Sequence, residues 1–317
     1  MQLPRGQTLT FLRRRPRRSG ALTLQGGGFL ALGAAVSWGG GDFSGGMGVK
    51  SAGGSTRAAL RFILLAHGIS FFVLALVLEL RHEALPAGAP LLWGLFAGVA
   101  GGLSLTAFYM ALSRGEMGIS AAVSGLLAAA VPALVSLRLE GAPGALKLCG
   151  FAVAAVAIWL IAAGPNVDAR TRDRSTFWLA VGGGAGFGIY FVALRMANTL
   201  GLVWPMALAR AGSLTICGLL LLGIMAFRAG GAPQVVVRPA LRVMITWAVG
   251  VAVLDTAGNM LFVAATRLGR LDAAAVLASL YPASTILLAA WRLHERPTRR
   301  QGMGMVAALA AVVLITL

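Results

Sequence analysis

The sequence predicts an all-α integral membrane protein with about ten transmembrane helices, arranged as two inverted five-helix repeats. Three observations predict it: a composition too apolar for a water-solvated fold, a succession of apolar windows of bilayer length, and a late segment that repeats an earlier one. Of 317 residues, 58% are hydrophobic and 12% are charged, where soluble globular chains are roughly a quarter charged. At a mean hydropathy of +0.83, the chain cannot hide its apolar surface around a core in water, so a bilayer must be its solvent. The 43 glycines fit that solvent, because membrane helices use Gly and Ala to bring backbones close.

Ten spans follow in order, at about 27–47, 57–80, 89–112, 118–138, 145–163, 176–197, 203–227, 241–265, 272–292 and 300–317. Each is long enough to cross a hydrocarbon core as a helix. None alternates strictly, which argues for helices over a barrel. The connections are short, with turn residues at Pro86–Pro90 and Gly230–Pro233. The longest polar link, residues 165–175, holds Asp168, Arg170, Arg172, Asp173 and Arg174 and divides the spans five and five. The predicted organisation is a basic, disordered tail (1–26), a first repeat (27–164), the linker (165–175) and a second repeat (176–317).

Residues Ser124–Ile161 and Ser279–Ile315 overlay with one residue deleted. Each has an apolar run, an acidic residue (Glu140, Glu295), a short loop, a glycine (Gly150, Gly304) and a second apolar run. With an odd number of spans per copy, the second copy enters the membrane from the opposite face. Two such bundles around a crevice are a common transporter construction, in which the crevice opens to either side by rocking.

The net charge of +17 is concentrated in the tail, where Arg5, Arg13, Arg14, Arg15, Arg17 and Arg18 precede the first span. Most other arginines sit at the ends of apolar runs, at headgroup depth. This placement argues for a lipid surface and against a nucleic-acid partner. No small-residue cleavage site follows the tail, so it is read as a disordered cytoplasmic anchor or a mis-called start, with a twin-arginine export signal as a further alternative. The tail puts both termini inside; without it the loop charges give no decisive orientation. Cys149 and Cys217 both lie in apolar runs and read as packing residues.

The chain resembles the EamA branch of the drug/metabolite transporter superfamily. The resemblance is carried by Leu280-Tyr-Pro-Ala-Ser-Thr, by Leu293-His-Glu-Arg-Pro-Thr-Arg-Arg-Gln and by the Gly/Ala/Val/Ile final helix. Ala111-Leu-Ser-Arg-Gly with Glu140, Trp38-Gly39 with Phe43, and Arg61 and Arg210 early in the second helix of each half also match. The chain departs from the pattern at Leu139 and His294, where the family has glycine, and in lacking a Tyr-Pro pair in the first repeat. The resemblance covers about Gly28 to Leu317. It implies a ten-helix transporter of small organic solutes such as amino acids, metabolites or drugs, often moved outward. It also implies a cavity among helices 1–4 and 6–9, with 5 and 10 peripheral, in a bacterial inner membrane.

Asp255 is the sharpest candidate for chemistry. It falls mid-span, where a carboxylate costs roughly 2.5–3.5 kcal/mol to insert, and Asn259 follows one turn later on the same face. The pair is read as a substrate or proton site, or as glue holding the bundle; the matching first-half positions are Gly102 and Thr106. Asp42 lies in a glycine run that permits unwinding, though it can equally reach headgroups. Tyr190 falls near its counterpart. Arg210 and Arg61 can pair with either aspartate, hold a substrate carboxylate or snorkel to the interface; snorkelling is the better reading for Arg61. His67 reads as a packed, neutral histidine before a proton shuttle. Tyr281, before Pro282, marks a kink that frees a carbonyl. Trp38 stacks on substrate or joins an interfacial belt. Glu140 and Glu295 read as helix-end caps or partners of arginines.

The run Gly182-Gly-Gly-Ala-Gly-Phe-Gly follows no strand, so it reads as close helix packing and not as a nucleotide loop. No P-loop, HExxH pair or serine–histidine dyad is present, and three histidines leave little for a metal site. The expectation is therefore a secondary transporter, possible proton coupling, no cofactor and no enzymatic activity. A homodimer is open. A non-transporting scaffold, or less readily an integral membrane enzyme, is the alternative.

Overall fold

A computed structural model describes residues 18–114, 117–162, 174–227, 241–293 and 298–317. The basic tail up to residue 17, the linker up to residue 173 and Glu295 lie outside the described residues. Those described are helical, without strands. The helices are α1 (Arg18–Ser51), α2 (Thr56–Leu80), α3 (Ala89–Arg114), α4 (Met117–Leu139), α5 (Ala145–Ala162) and α6 (Arg174–Ala197). After a short turn of 3-10 helix come α7 (Val203–Phe227), α8 (Leu241–Leu268), α9 (Leu271–Ala278), α10 (Tyr281–Leu293) and α11 (Arg299–Thr316).

Seven described segments are long and apolar enough to cross a membrane: α2, α3, α6, α7, α8, α9 with α10, and α11. The first helix starts at Arg18, earlier than the predicted 27, so residues 18–26 are helical instead of part of a disordered tail. No proline interrupts this stretch. Outward faces carry exposed apolar side chains, among them Phe72, Leu76, Leu103, Leu222 and Leu309, as lipid contact requires. Trp159, Trp178 and Trp291 are exposed toward ends of α5, α6 and α10, where an interfacial belt places indoles.

Local chemistry sets several boundaries. Ser55 caps α2 by accepting from the Ala58 N–H at 3.2 Å. Thr298 and Gln301 form a reciprocal capping box on α11. The kink expected at Tyr281-Pro282 is a full break, because Pro282 has no N–H to continue the α9 ladder. Hydroxyls at the start of α10 tie it to α1: the Ser284 proton is shared between the Tyr281 carbonyl at 2.8 Å and the Ala35 carbonyl of α1 at 2.9 Å. Thr285 donates to the Gly39 carbonyl at 3.3 Å.

The main helix pairs are α1 on α8, α3 on α6 and α7, α4 on α6, α2 on α7, α5 on α11 and α10 on α1, with α2 also on α8. Glycine permits the closest approaches. A Cβ at Gly98 would strike the Ala209 carbonyl, and one at Gly212 the Leu95 carbonyl, so α3 and α7 meet backbone to backbone. The tract in α6 acts likewise, with Gly183 and Gly186 against Ser104 of α3 and Gly184 against Ser124 of α4.

One end of the bundle is tied by charge. The Glu140 carboxylate, at the end of α4, accepts from Ser136 at 2.8 Å, from the Leu271 N–H opening α9 at 3.0 Å and from Arg195 of α6 at 3.5 Å. Glu140 thus both caps a helix and pairs with an arginine. Arg270 donates to the Glu140 and Gly141 carbonyls at 3.0 and 2.7 Å and to Asp272 at 2.7 Å. Hydrogen bonding to Asp272 raises the Arg270 pKa above its ordinary value.

Candidate functional site

The polar centre lies where α2, α3, α6, α7 and α8 converge. In α8 an apolar run is interrupted by Asp255, Thr256 and Asn259. Its neighbour α7 supplies Arg210, which is almost fully buried, and Ser213 one turn on. From α2 comes His67, also buried. Glycines 98, 101 and 102 of α3 leave the room between them, and Tyr190 and Phe187 of α6 close the side of a cleft with about 20 Å³ of room. That is room for a water molecule and well below the volume of small-molecule sites, so an organic solute needs the cleft to open further.

Arg210 organises the centre. Its Nη2 donates to Asp255 Oδ2 at 2.5 Å and to Thr256 Oγ1 at 3.1 Å, and its Nη1 lies 3.2 Å from His67 Nε2. A guanidinium can only donate, so His67 Nε2 must accept and carries no proton. The proton of the neutral ring is on Nδ1, which donates to Ser213 Oγ at 2.8 Å. His67 Nε2 is also 3.9 Å from Asp255 Oδ2. The Asp255 side chain keeps 21% of its surface exposed and Arg210 only 4%, so the aspartate faces the cleft and the arginine stands behind it. A charge pair removed from water is tolerated only with close geometry and further hydrogen bonds, and Thr256, His67 and Ser213 supply them.

The residues singled out in the sequence separate here. Asp255, Arg210 and Tyr190 line one cleft. Asp42 is next to Gly41, whose Cβ would lie 3.7 Å from that of Asp255. It stands in the field of Asp255 and has no hydrogen bond or ion pair among the described residues. Asn259 is buried and donates to its own helix at the Asp255 carbonyl, 2.7 Å away, leaving its Oδ1 without a partner. Trp38 is buried, which removes the interfacial-belt reading. Its ring stacks on Phe191 at 4.9 Å and meets Phe262 at 5.7 Å, so it sits in the apolar core and outside the cleft lining. Tyr281 donates to the Ala121 carbonyl at 3.3 Å, tying α10 to α4. Arg61 is exposed, as snorkelling requires.

His67 and Ser213 have a larger part than the sequence suggested. A lone histidine on an apolar helix carries no sign of its partner, which sits 143 residues away on α7. Cys217 extends the polar side of α7, near Ser213 and Thr106. Among the described residues, no three His, Cys, Asp or Glu side chains gather as a metal site.

No curated protein matches the chain. A solved crystal structure of another protein has TM-score 0.66 and 14% identity, covering 94% of this chain and 96% of that one. At that identity the likeness is one of fold alone. The EamA-like transporter family matches residues 174–317. The matched residues carry α6 to α11 with Arg210 and Asp255, and the family they match lies within the drug/metabolite transporter superfamily.

Proposed function

We propose that the protein is a secondary transporter that moves a small organic solute, outward, across the inner membrane of a bacterium. It does so by alternating access between two inverted five-span repeats. The observation that carries this reading is the composition of the cleft. His67, Gly98, Gly101, Gly102 and Leu105 come from the first half, and Phe187, Tyr190, Arg210, Ser213 and Asp255 from the second. A site between two bundles changes its access when they rock.

Packing supports the repeat. Exchanging the first five spans with the last five, with α9 and α10 as one span, turns α1 on α8 into α6 on α3, and α4 on α6 into α10 on α1. It turns α3 on α7 into α8 on α2, and leaves α2 on α7 and α5 on α11 as they are. Residues matched by the sequence repeat make exchanged contacts as well. A Cβ at Gly150 would lie 2.7 Å from Ile315, and one at Gly304 would lie 2.8 Å from Ile161. Asn259 bonds to the Asp255 carbonyl as Thr106 bonds to the Gly102 carbonyl, both at 2.7 Å.

The coupling ion in this reading is the proton, with Asp255 and Asp42 as carboxylates of the pathway. Both termini lie in the cytoplasm. Solute exchange in proteoliposomes tests the proposal, against a mixed pool of amino acids, sugars, nucleosides and cationic drugs read by mass spectrometry. Wild type is expected to move a solute that Asp255→Asn does not. A folded wild type that moves nothing from the pool, or an Asp255→Asn variant with unchanged exchange and unchanged response to a pH gradient, counts against it.

A further inference from the structure

We propose that Arg210 binds an anionic group of the solute, and that a proton on His67 frees it to do so by drawing Asp255 away. This rests on the transport reading and names the solute class and the proton-carrying group of the same cleft.

The donors of the cleft outnumber their partners. Arg210 Nε and the Tyr190 hydroxyl are both buried without a hydrogen-bond partner. Both residues line the cleft, and Tyr190 lies in the field of Arg210. An idle N–H of the guanidinium and an idle hydroxyl suit a carboxylate, phosphate or sulfonate, which offers only acceptors. What keeps Arg210 from such a group now is Asp255, bonded to its Nη2.

His67 is placed to change that. Its Nε2 accepts from Arg210 at 3.2 Å and stands 3.9 Å from the same Asp255 oxygen that Arg210 holds. A proton on Nε2 turns this acceptor into a charged donor, which can no longer face a guanidinium N–H. Movement of about an ångström takes 3.9 Å to the length of a charge-assisted bond to Asp255. Arg210 then loses one partner outright and shares the other. Ser213 still accepts from Nδ1–H in either state.

Charge accounting links the two events. Counted over Arg210, Asp255 and His67, without Asp42, the present charge is zero, with one guanidinium, one carboxylate and a neutral imidazole. Protonation makes it +1, and a bound monoanion returns it to zero. A buried cluster is costly away from neutrality, so proton and anion bind the same state, one for one. The proton enters from water on the side to which the cleft is open. The charged or titratable groups acting on His67 are Arg210 from α7 and Asp255 from α8. Tyr190 of α6, Tyr109 of α3 and Asp42 of α1 act on that pair through its field, and Cys217 stands behind Ser213.

Nitrogen NMR of the full-length protein, labelled with ¹⁵N-histidine in nanodiscs, tests this. The sample is titrated from about pH 8 to about pH 5, across the ordinary histidine range. The anionic probes are acetate, lactate and glycerol 3-phosphate, and choline is the cationic one. His67→Gln assigns its signal among three histidines. At the alkaline end His67 is expected as the Nδ1–H tautomer. At least one anionic probe raises its titration midpoint and choline does not; tenfold tighter anion binding to the protonated state corresponds to about one pH unit. An Nε2–H tautomer, or a midpoint that no anionic probe raises, overturns the proposal on wild-type protein alone. In proteoliposomes, His67→Gln is expected to flatten the pH profile of exchange of an anionic solute, and an unaltered profile likewise overturns it. Failure of every solute to cross while His67 titrates as described counts against the transport reading and supports the switch.

Discussion

At the scale of single residues, the consequence of burial is asymmetric. Removing one partner of the Arg210–Asp255 pair leaves the other charge in a low-dielectric site. Asp255→Ala is therefore expected to destabilise the protein by about 3–5 kcal/mol, read as a lowered thermal midpoint in detergent. Asp255→Asn, which keeps an acceptor for Arg210, is expected to lose less. Replacing both partners together by Leu and Met removes the unpaired charge. That double variant is expected to be more stable than Asp255→Ala and still inactive in exchange. A double variant that exchanges solute like wild type would remove the pair from the mechanism.

At the scale of elements, helix ends and helix crossings have different weak points. The opening turn of α9 depends on Glu140, which meets the Leu271 N–H from another helix. Glu140→Ala is expected to cost about 1 kcal/mol, as lost helix caps do, and to speed amide exchange at the start of α9 before that of α8. The crossing of α5 and α11 depends on Gly150 and Gly304. Gly304→Leu overpacks against Ile161 and is expected to cost about 1–3 kcal/mol. Gly302, beside which a Cβ meets nothing within 4 Å, is the control, and Gly302→Ala is expected to leave the thermal midpoint nearly unchanged.

At the scale of the whole molecule, the two cysteines report orientation. Cys149 is exposed near the start of α5 and Cys217 is buried in α7. Lys147, two residues before Cys149, shares a surface groove with Gly27 and Gly28 of α1 and with Thr316, so α5 begins at the same end as the first helix and the C-terminus. With both termini in the cytoplasm, a membrane-impermeant maleimide is expected to label Cys149 in inside-out vesicles and not in right-side-out ones. Cys217 is expected to stay unlabelled in both until the fold is denatured. Labelling only in right-side-out vesicles would invert the topology.

Much of the architecture is legible in the chain because it depends on local composition. A span needs only enough consecutive apolar residues, and a break needs only Pro282 in the right place. Helix α1 begins at Arg18, ahead of the apolar window that defines a span, and hydropathy alone does not mark where a helix starts. Mid-span position likewise marks Asp255, since an unpaired carboxylate there is expensive wherever the chain folds. The partner is another matter. Asp255 and Arg210 lie 45 positions apart on different helices, and His67 joins them from 143 positions away. Crossing points decide which face of each helix meets which, and they depend on glycines such as Gly98 and Gly212 fitting against a distant backbone. Periodicity and hydropathy thus fix that the chain lives in a bilayer as helices, because those are properties of each segment alone. The neutral His67 tautomer, the restrained Arg210 and the buried Trp38 are decided only in three dimensions, because hydrogen bonds and burial belong to pairs of helices that no single segment encodes.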